Sequence, residues 1–100
     1  MSRSHISVPE NLLRDFCRRH HIRRLAFFGS VLRSDFGPDS DVDVLVEFER
    51  GHVPGLAFFA IEEDLTKILG RKVDLHTSAF LGPEIRAEAL AEAEVQHVAP

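Results

Sequence analysis

Apolar and polar positions change period several times along the chain, and each change marks an element. Leu12, Leu13, Phe16 and Cys17 recur at helical spacing and predict a first helix. Its start is signalled at Ser7-Val8-Pro9-Glu10, where Ser7 and Glu10 have capping-box spacing and Pro9 is tolerated in a first turn. Arg18, Arg19 and His20 suit the negative end of its dipole. Leu25-Ala26-Phe27-Phe28 is a short apolar run halted by Gly29-Ser30, which predicts a buried strand and a turn. Val31-Leu32-Arg33 fits one or two helical turns, and Phe36-Gly37-Pro38-Asp39-Ser40 has loop chemistry. Asp41 to Phe48 then alternates with period two. Val42, Val44 and Val46 share one face of this predicted strand; Asp41, Asp43 and Leu45 share the other.

Leu56 to Leu69 returns to helical spacing through Phe58, Ile61, Leu65 and Ile68, with Gly70 placed to end the helix. Lys72 to His76 predicts a third short strand. Gly82-Pro83-Glu84 opens a last helix lined by Ile85, Ala89, Leu90 and Ala93, and Val95 to Val98 suits a short closing strand. The order α-β-α-β-α-β-α predicts the α/β class: a small mixed sheet flanked by helices. The strand–helix–strand connection makes the third strand parallel to the second, by a right-handed crossover.

The 100 residues suit a single domain spanning 1–100, and 44% hydrophobic with 28% charged residues reads as globular. No apolar run approaches the ~18 residues of a membrane span, and no signal-peptide core follows Met1. Cys17 is the single cysteine, which excludes an intrachain disulfide and suits a small core residue. A cytoplasmic protein without a membrane partner is expected. The net charge of −4 is unevenly spread: residues 1–24 hold six arginines against Glu10 and Asp15, a net of +4, and the rest nets −8. Such a basic start could meet RNA or an acidic partner. The preferred reading is a solvated outer helix face, because Trp and Tyr are absent and no aromatic platform interleaves with the arginines. No direct nucleic-acid contact is therefore expected. His20 and His21, adjacent at a helix end, read as surface.

Asp41 and Asp43 are out of place in a valine-rich strand. Two apart on a strand, they share a face about 6.6–6.8 Å apart and repel unless a cation sits between them. Oxygen-only donors favour Mg²⁺ or Mn²⁺, and a pair of ions would suit. The plainer alternative is a strand start, with Asp41 capping a turn. Gly29-Ser30 adds a close-approach glycine and a hydroxyl donor ahead of a helical turn, which suits an anion. If the two strands are antiparallel neighbours, Gly29 and Asp41 lie at the same end of the sheet. Asp74 is a third acid inside an apolar strand; its alternative is an outward residue on an edge. Lys72 and His76 share its face and read as solvent-facing ends.

Gly29-Ser30, ten residues, then Asp41-Val42-Asp43 resembles the Gly-Ser-x10-Asp-x-Asp signature of minimal nucleotidyltransferases, in the DNA polymerase β-like superfamily. Arg71-Lys72-Val73-Asp74-Leu75 resembles that family's third-acid strand, and Ser34 stands where many members have glycine. The resemblance covers nearly the whole chain. It implies the polymerase β-like nucleotidyltransferase fold and transfer of a nucleoside monophosphate from a triphosphate to a hydroxyl. Under it, Asp41 and Asp43 bridge two Mg²⁺ (or Mn²⁺) and Asp74 binds the acceptor-side ion. Gly29 and Ser30 hold the triphosphate of ATP. Arg33 touches a phosphate or forms a structural pair with Asp35 or Asp39. Members similar to this chain are typically antitoxins that place AMP on a tyrosine of a HEPN-type RNase toxin, and a chain this small is expected to receive its acceptor from such a partner. The alternative is a non-catalytic antitoxin acting by steric binding. Nucleotide preference and oligomeric state are left open.

Overall fold

The computed structural model describes residues 6–34, 36–52, 54–77 and 81–99. Helix α1 is Glu10–Arg19, strand β1 is Ile22–Phe28, and a 3-10 turn covers Gly29–Leu32. Strand β2 is Val42–Phe48, and a short 3-10 turn at Gly55–Ala57 leads into helix α2, Phe58–Leu69. Strand β3 is Val73–Thr77, helix α3 is Pro83–Glu92, and strand β4 is Glu94–Val98. The sheet order is β3-β2-β1-β4. β1 runs antiparallel to both β2 and β4, and β2 pairs parallel with β3. This is the expected mixed α/β sheet with its parallel crossover, and the closing strand forms the outer edge beside β1. Among the described residues, no helix is long and apolar enough to cross a membrane.

The period-two pattern of β2 divides the sheet into two unlike faces. Val42, Val44 and Val46 join Phe27, Leu25, Val73 and Leu75 in a core covered by Leu13, Phe16 and Cys17 of α1 and by Ile61 and Leu65 of α2. The other face carries Phe28 and Leu45, covered by Ala89 of α3. Gly70 ends α2 in the left-handed conformation, φ 69°, as its position predicts. β3 lies at an edge, and α2 occupies its open backbone donors. Val73 N–H donates to Thr66 Oγ1 at 3.2 Å, and Leu75 N–H donates to Glu62 Oε2 at 2.8 Å. Satisfied in this way, the edge is a poor template for another strand.

Four local expectations are corrected. Ser7 does not cap α1: Pro9 is the N-cap, and its carbonyl accepts from Leu13 N–H at 2.9 Å. Starting at Glu10, the helix leaves Ser7 two residues outside the cap position. Leu12 is 55% exposed, because the buried stripe runs through Leu13, Phe16 and Cys17 and turns Leu12 outward. On α3, Ile85 and Leu90 are exposed and Ala89 alone is buried, so this helix meets the sheet through a small side chain. The strand read from Leu25 begins earlier, at Ile22, since Ile22 is buried and Arg23 reaches Glu47 on β2 at 2.8 Å. Arg3 of the basic start and Asp35 lie outside the described residues.

Candidate active site

Register brings the sequence-distant acids together. Phe28, the last residue of β1, pairs with Asp43, so Gly29 follows at that same point of the sheet. Asp43 in turn pairs with Asp74 across the parallel β2–β3 ladder. Neighbouring strands are about 4.8 Å apart, and residues paired in register share a face. Asp43 and Asp74 therefore stand side by side on the face opposite the valine core. Asp41 lies just before β2, and its carbonyl accepts from Ser30 Oγ at 3.4 Å.

Electrostatics bear out the crowding. The Asp43 carboxyl is held above the ordinary carboxylate range, first by burial. His76 opposes that shift, while the charges of Asp74 and Asp41 add to it. The half-buried Asp43 thus feels both other acids. His76 and Lys72 are not merely solvent-facing ends: His76 Nε2 lies 3.7 Å from Asp43 Oδ1, and Lys72 Nζ lies 3.8 Å from Asp41 Oδ2. His76 is also set edge-on against the Phe28 ring at 5.3 Å. Carboxylate oxygens are the donors a hard divalent cation takes, although the three aspartates do not bring their ligand atoms within 4.8 Å of one another in this structure.

Gly29 has no room for a side chain. Its φ is +75°, and an added Cβ would collide with Asp43 Oδ2 and lie 3.3 Å from Asp43 Cγ. The glycine is thus what lets the turn and the carboxylate approach. Phe28, Gly29, Ser30 and Asp43 form one wall of an open cleft of about 260 Å³, and Ile85, Glu88 and Glu92 of α3 form the other. A larger cavity of about 400 Å³ lies between α1 and β4, lined by Arg14, Cys17, Arg18 and His97, and contains none of the three aspartates. There the Cys17 thiol is pushed up to about 12 by burial and is inert as a nucleophile. His97 is lowered by burial and then by Arg14 and Arg18.

Two residues with no role in the sequence reading shape the site. Glu92, in the last turn of α3, accepts from Gly29 N–H at 3.0 Å and from Arg33 Nη2 at 3.4–3.5 Å. Arg33 therefore pairs with Glu92 and not with Asp39, because α3 returns over the turn. The 3-10 turn after β1 is only four residues, so its dipole is small and Gly29 N–H is its useful donor. Arg71 clamps the loop ahead of Asp41. Its Nη2 donates to Gly37 O at 2.5 Å and to Ser40 O at 3.0 Å, while the guanidinium covers the Phe36 ring at 4.5 Å. Arg71→Ala should lower stability by about 2 kcal/mol, the scale of charged hydrogen bonds to carbonyls. Arg71→Lys should recover less than half of that, since a point charge cannot span two carbonyls and stack. Thermal melting of both variants checks this; equal stability of Arg71→Ala and the unaltered chain would refute the clamp.

Comparison with known proteins agrees with this geometry. Residues 9–95 match the nucleotidyltransferase domain family. The protein adenylyltransferase MntA of Thermococcus cleftensis is 40% identical over 75 residues, covering 74% of each chain. The solved structure of a protein described as a "putative minimal nucleotidyltransferase" superposes with TM-score 0.71 at 35% identity, covering 85% of this chain and 86% of the other. A chain of a solved complex, a tri-AMPylated Shewanella oneidensis HEPN toxin with its MNT antitoxin, shares the fold with TM-score 0.66. There the identity is 17%, over 90% of this chain and 70% of that one. With its family model matched over residues 9–95, this chain belongs to the nucleotidyltransferase domain family.

Proposed function

We propose that this chain transfers AMP from ATP onto a tyrosine hydroxyl of a HEPN-type RNase toxin and thereby acts as its antitoxin. The observation that carries the reading is the pairing of Asp43 with Asp74 on one sheet face, against the left-handed Gly29. The name of the 40% identical relative supports protein adenylylation, and the AMPylated toxin in the fold neighbour's complex supports the partner.

In this reading Asp41, Asp43 and Asp74 hold Mg²⁺ or Mn²⁺, two ions in all, which when bound supply charge neutralisation and a lowered pKa for the acceptor hydroxyl. The chain's own groups do the rest. Gly29 N–H and Ser30 Oγ donate to phosphate oxygens in the turn. Glu92 now takes Gly29 N–H and Arg33, the donors a phosphate would use, so its carboxylate must swing aside as the triphosphate seats. Asp43, Glu88 and Glu92 all face the cleft, and their charge repels a triphosphate that arrives without a cation. Arg71 holds the 37–40 loop and so fixes where Asp41 begins.

The test is incubation with ATP, Mg²⁺ and a HEPN-type RNase toxin as partner, followed by intact-mass measurement of that partner. The expected result is a gain of one or more AMP units, abolished by EDTA and mapped to tyrosine. A partner neutralised with no gain in mass, equally by the unaltered chain and by a triple Asp41, Asp43, Asp74→Asn variant, would overturn catalysis in favour of steric binding.

A further inference from the structure

The opposite end of the sheet holds a second cluster of ligating groups. His21 precedes β1, and Glu49 and His52 follow β2. One ligand atom from each of the three lies within 4.8 Å of the others. β1 is seven residues long, so roughly 20 Å of strand separates this cluster from Gly29 and Asp43.

Backbone hydrogen bonds bring the three residues together. Glu49 N–H donates to His21 O at 2.7 Å, and His52 N–H donates to Glu49 O at 3.0 Å. His21 Nδ1 lies 3.3 Å from Glu49 Oε2. The His21 and His52 rings stack at 3.8 Å, 16° from parallel. His21 is also the one non-glycine among the described residues with positive φ, at 56°. That conformation costs about 1–2 kcal/mol for an L-residue, and glycine or asparagine would adopt it more cheaply. The left-handed residue closes the end of α1, where His21 N–H donates to Arg18 O at 3.3 Å, and it leaves the His21 ring beside Glu49 and His52.

We propose that His21, Glu49 and His52 form a metal site for Zn²⁺, separate from the carboxylate cluster. Two imidazoles and one carboxylate are a zinc donor set, whereas Mg²⁺ demands oxygen ligands. Three protein ligands leave the fourth tetrahedral position to water. The side chains of His21 and Glu49 are 48% and 46% exposed, so the ion enters without opening the fold. Coordination turns the two rings out of their stack, because an ion must lie in the plane of each imidazole it binds. The bound ion joins the corner before β1 to the loop after β2 and stiffens the end of the sheet remote from the cleft.

The test uses the full chain, stripped with EDTA and exchanged into chelator-free buffer, then titrated with Zn²⁺ against a chromophoric chelator. One Zn²⁺ per chain is expected, with a rise in melting temperature that millimolar Mg²⁺ does not reproduce. His52→Ala and His21→Asn should each weaken Zn²⁺ by at least about tenfold, since even outer-shell losses cost 10–100-fold. His21→Asn keeps a residue tolerant of positive φ, so loss of metal there is not loss of fold. Asp43→Asn should leave Zn²⁺ affinity unchanged. Absent Zn²⁺ binding, binding untouched by both histidine substitutions, or binding abolished by Asp43→Asn would each overturn the site. None of these readouts depends on nucleotidyl transfer.

Discussion

Asp43→Asn is expected to reduce nucleotidyl transfer at least ~100-fold, about 2.7 kcal/mol of transition-state stabilisation, and at the same time to make the fold more stable. Both effects have one cause. The carboxylate is half-buried between Asp41 and Asp74, and its pKa is raised by burial and by those charges, against the opposing pull of His76. A raised carboxyl pKa means that the folded chain holds a proton the unfolded chain has already released. Stability from this group is therefore full below the ordinary carboxylate pKa and is lost as pH rises through the folded value. At pH 7 the whole penalty is present, and an amide removes it. The gain should be about 1 kcal/mol in metal-free buffer, or about 4–8 °C in melting temperature for a domain of this size. It should shrink toward zero in acid and narrow when Mg²⁺ is added, because only the unaltered chain gains from the ion. Asp41→Asn should weaken nucleotide binding in the same way. Asp74→Asn should spare nucleotide binding more and still remove transfer. A melting temperature for Asp43→Asn at or below that of the unaltered chain would mean that the acids do not repel one another here.

Gly29→Ala should be nearly as damaging to transfer, again about 100-fold or more, and should cost stability as well. Two penalties combine. Left-handed backbone costs an alanine about 1–2 kcal/mol, and the new methyl must displace the Asp43 carboxylate it strikes. Gly51→Ala separates the two. Gly51 has φ +82° with open space around it, so alanine there carries the backbone cost alone. Melting should therefore fall for both variants and further for Gly29→Ala, while transfer should be lost only in Gly29→Ala. Equal activity in the two would mean that the contact between Gly29 and Asp43 has no part in the chemistry.

Much of the fold and part of the site are readable from local pattern. The second long helix, expected over 56–69, and its stop at Gly70 follow from apolar spacing and one left-handed glycine, although Gly55–Ala57 forms a 3-10 turn and the α-helix begins at Phe58. The two faces of β2 follow from strict alternation, which puts Asp43 opposite Val42 and Val44 whatever the strand pairs with. Boundaries were less legible. Ser7-x-x-Glu10 has capping spacing, but Pro9 takes the cap. Leu12 and Leu90 sit at helical spacing, yet both are turned to solvent because only one stripe of each helix meets the sheet.

By itself, then, the sequence determined the element order, the alternation of β2, the place of Asp41, Asp43 and Asp74 in or beside apolar strands, and the turn at Gly29. All of these depend on residues within a few positions of one another. Only the tertiary structure decided which groups meet. Asp43 stands beside Asp74 because the valines of β2 and Val73 with Leu75 of β3 must bury the same face, and a slip of one residue would turn those acids apart. Glu92 reaches Gly29 across 63 residues, Arg71 reaches Gly37 across 34, and His21 meets Glu49 across 28. No periodicity encodes such contacts, because they arise from strand register and from where each helix returns over the sheet.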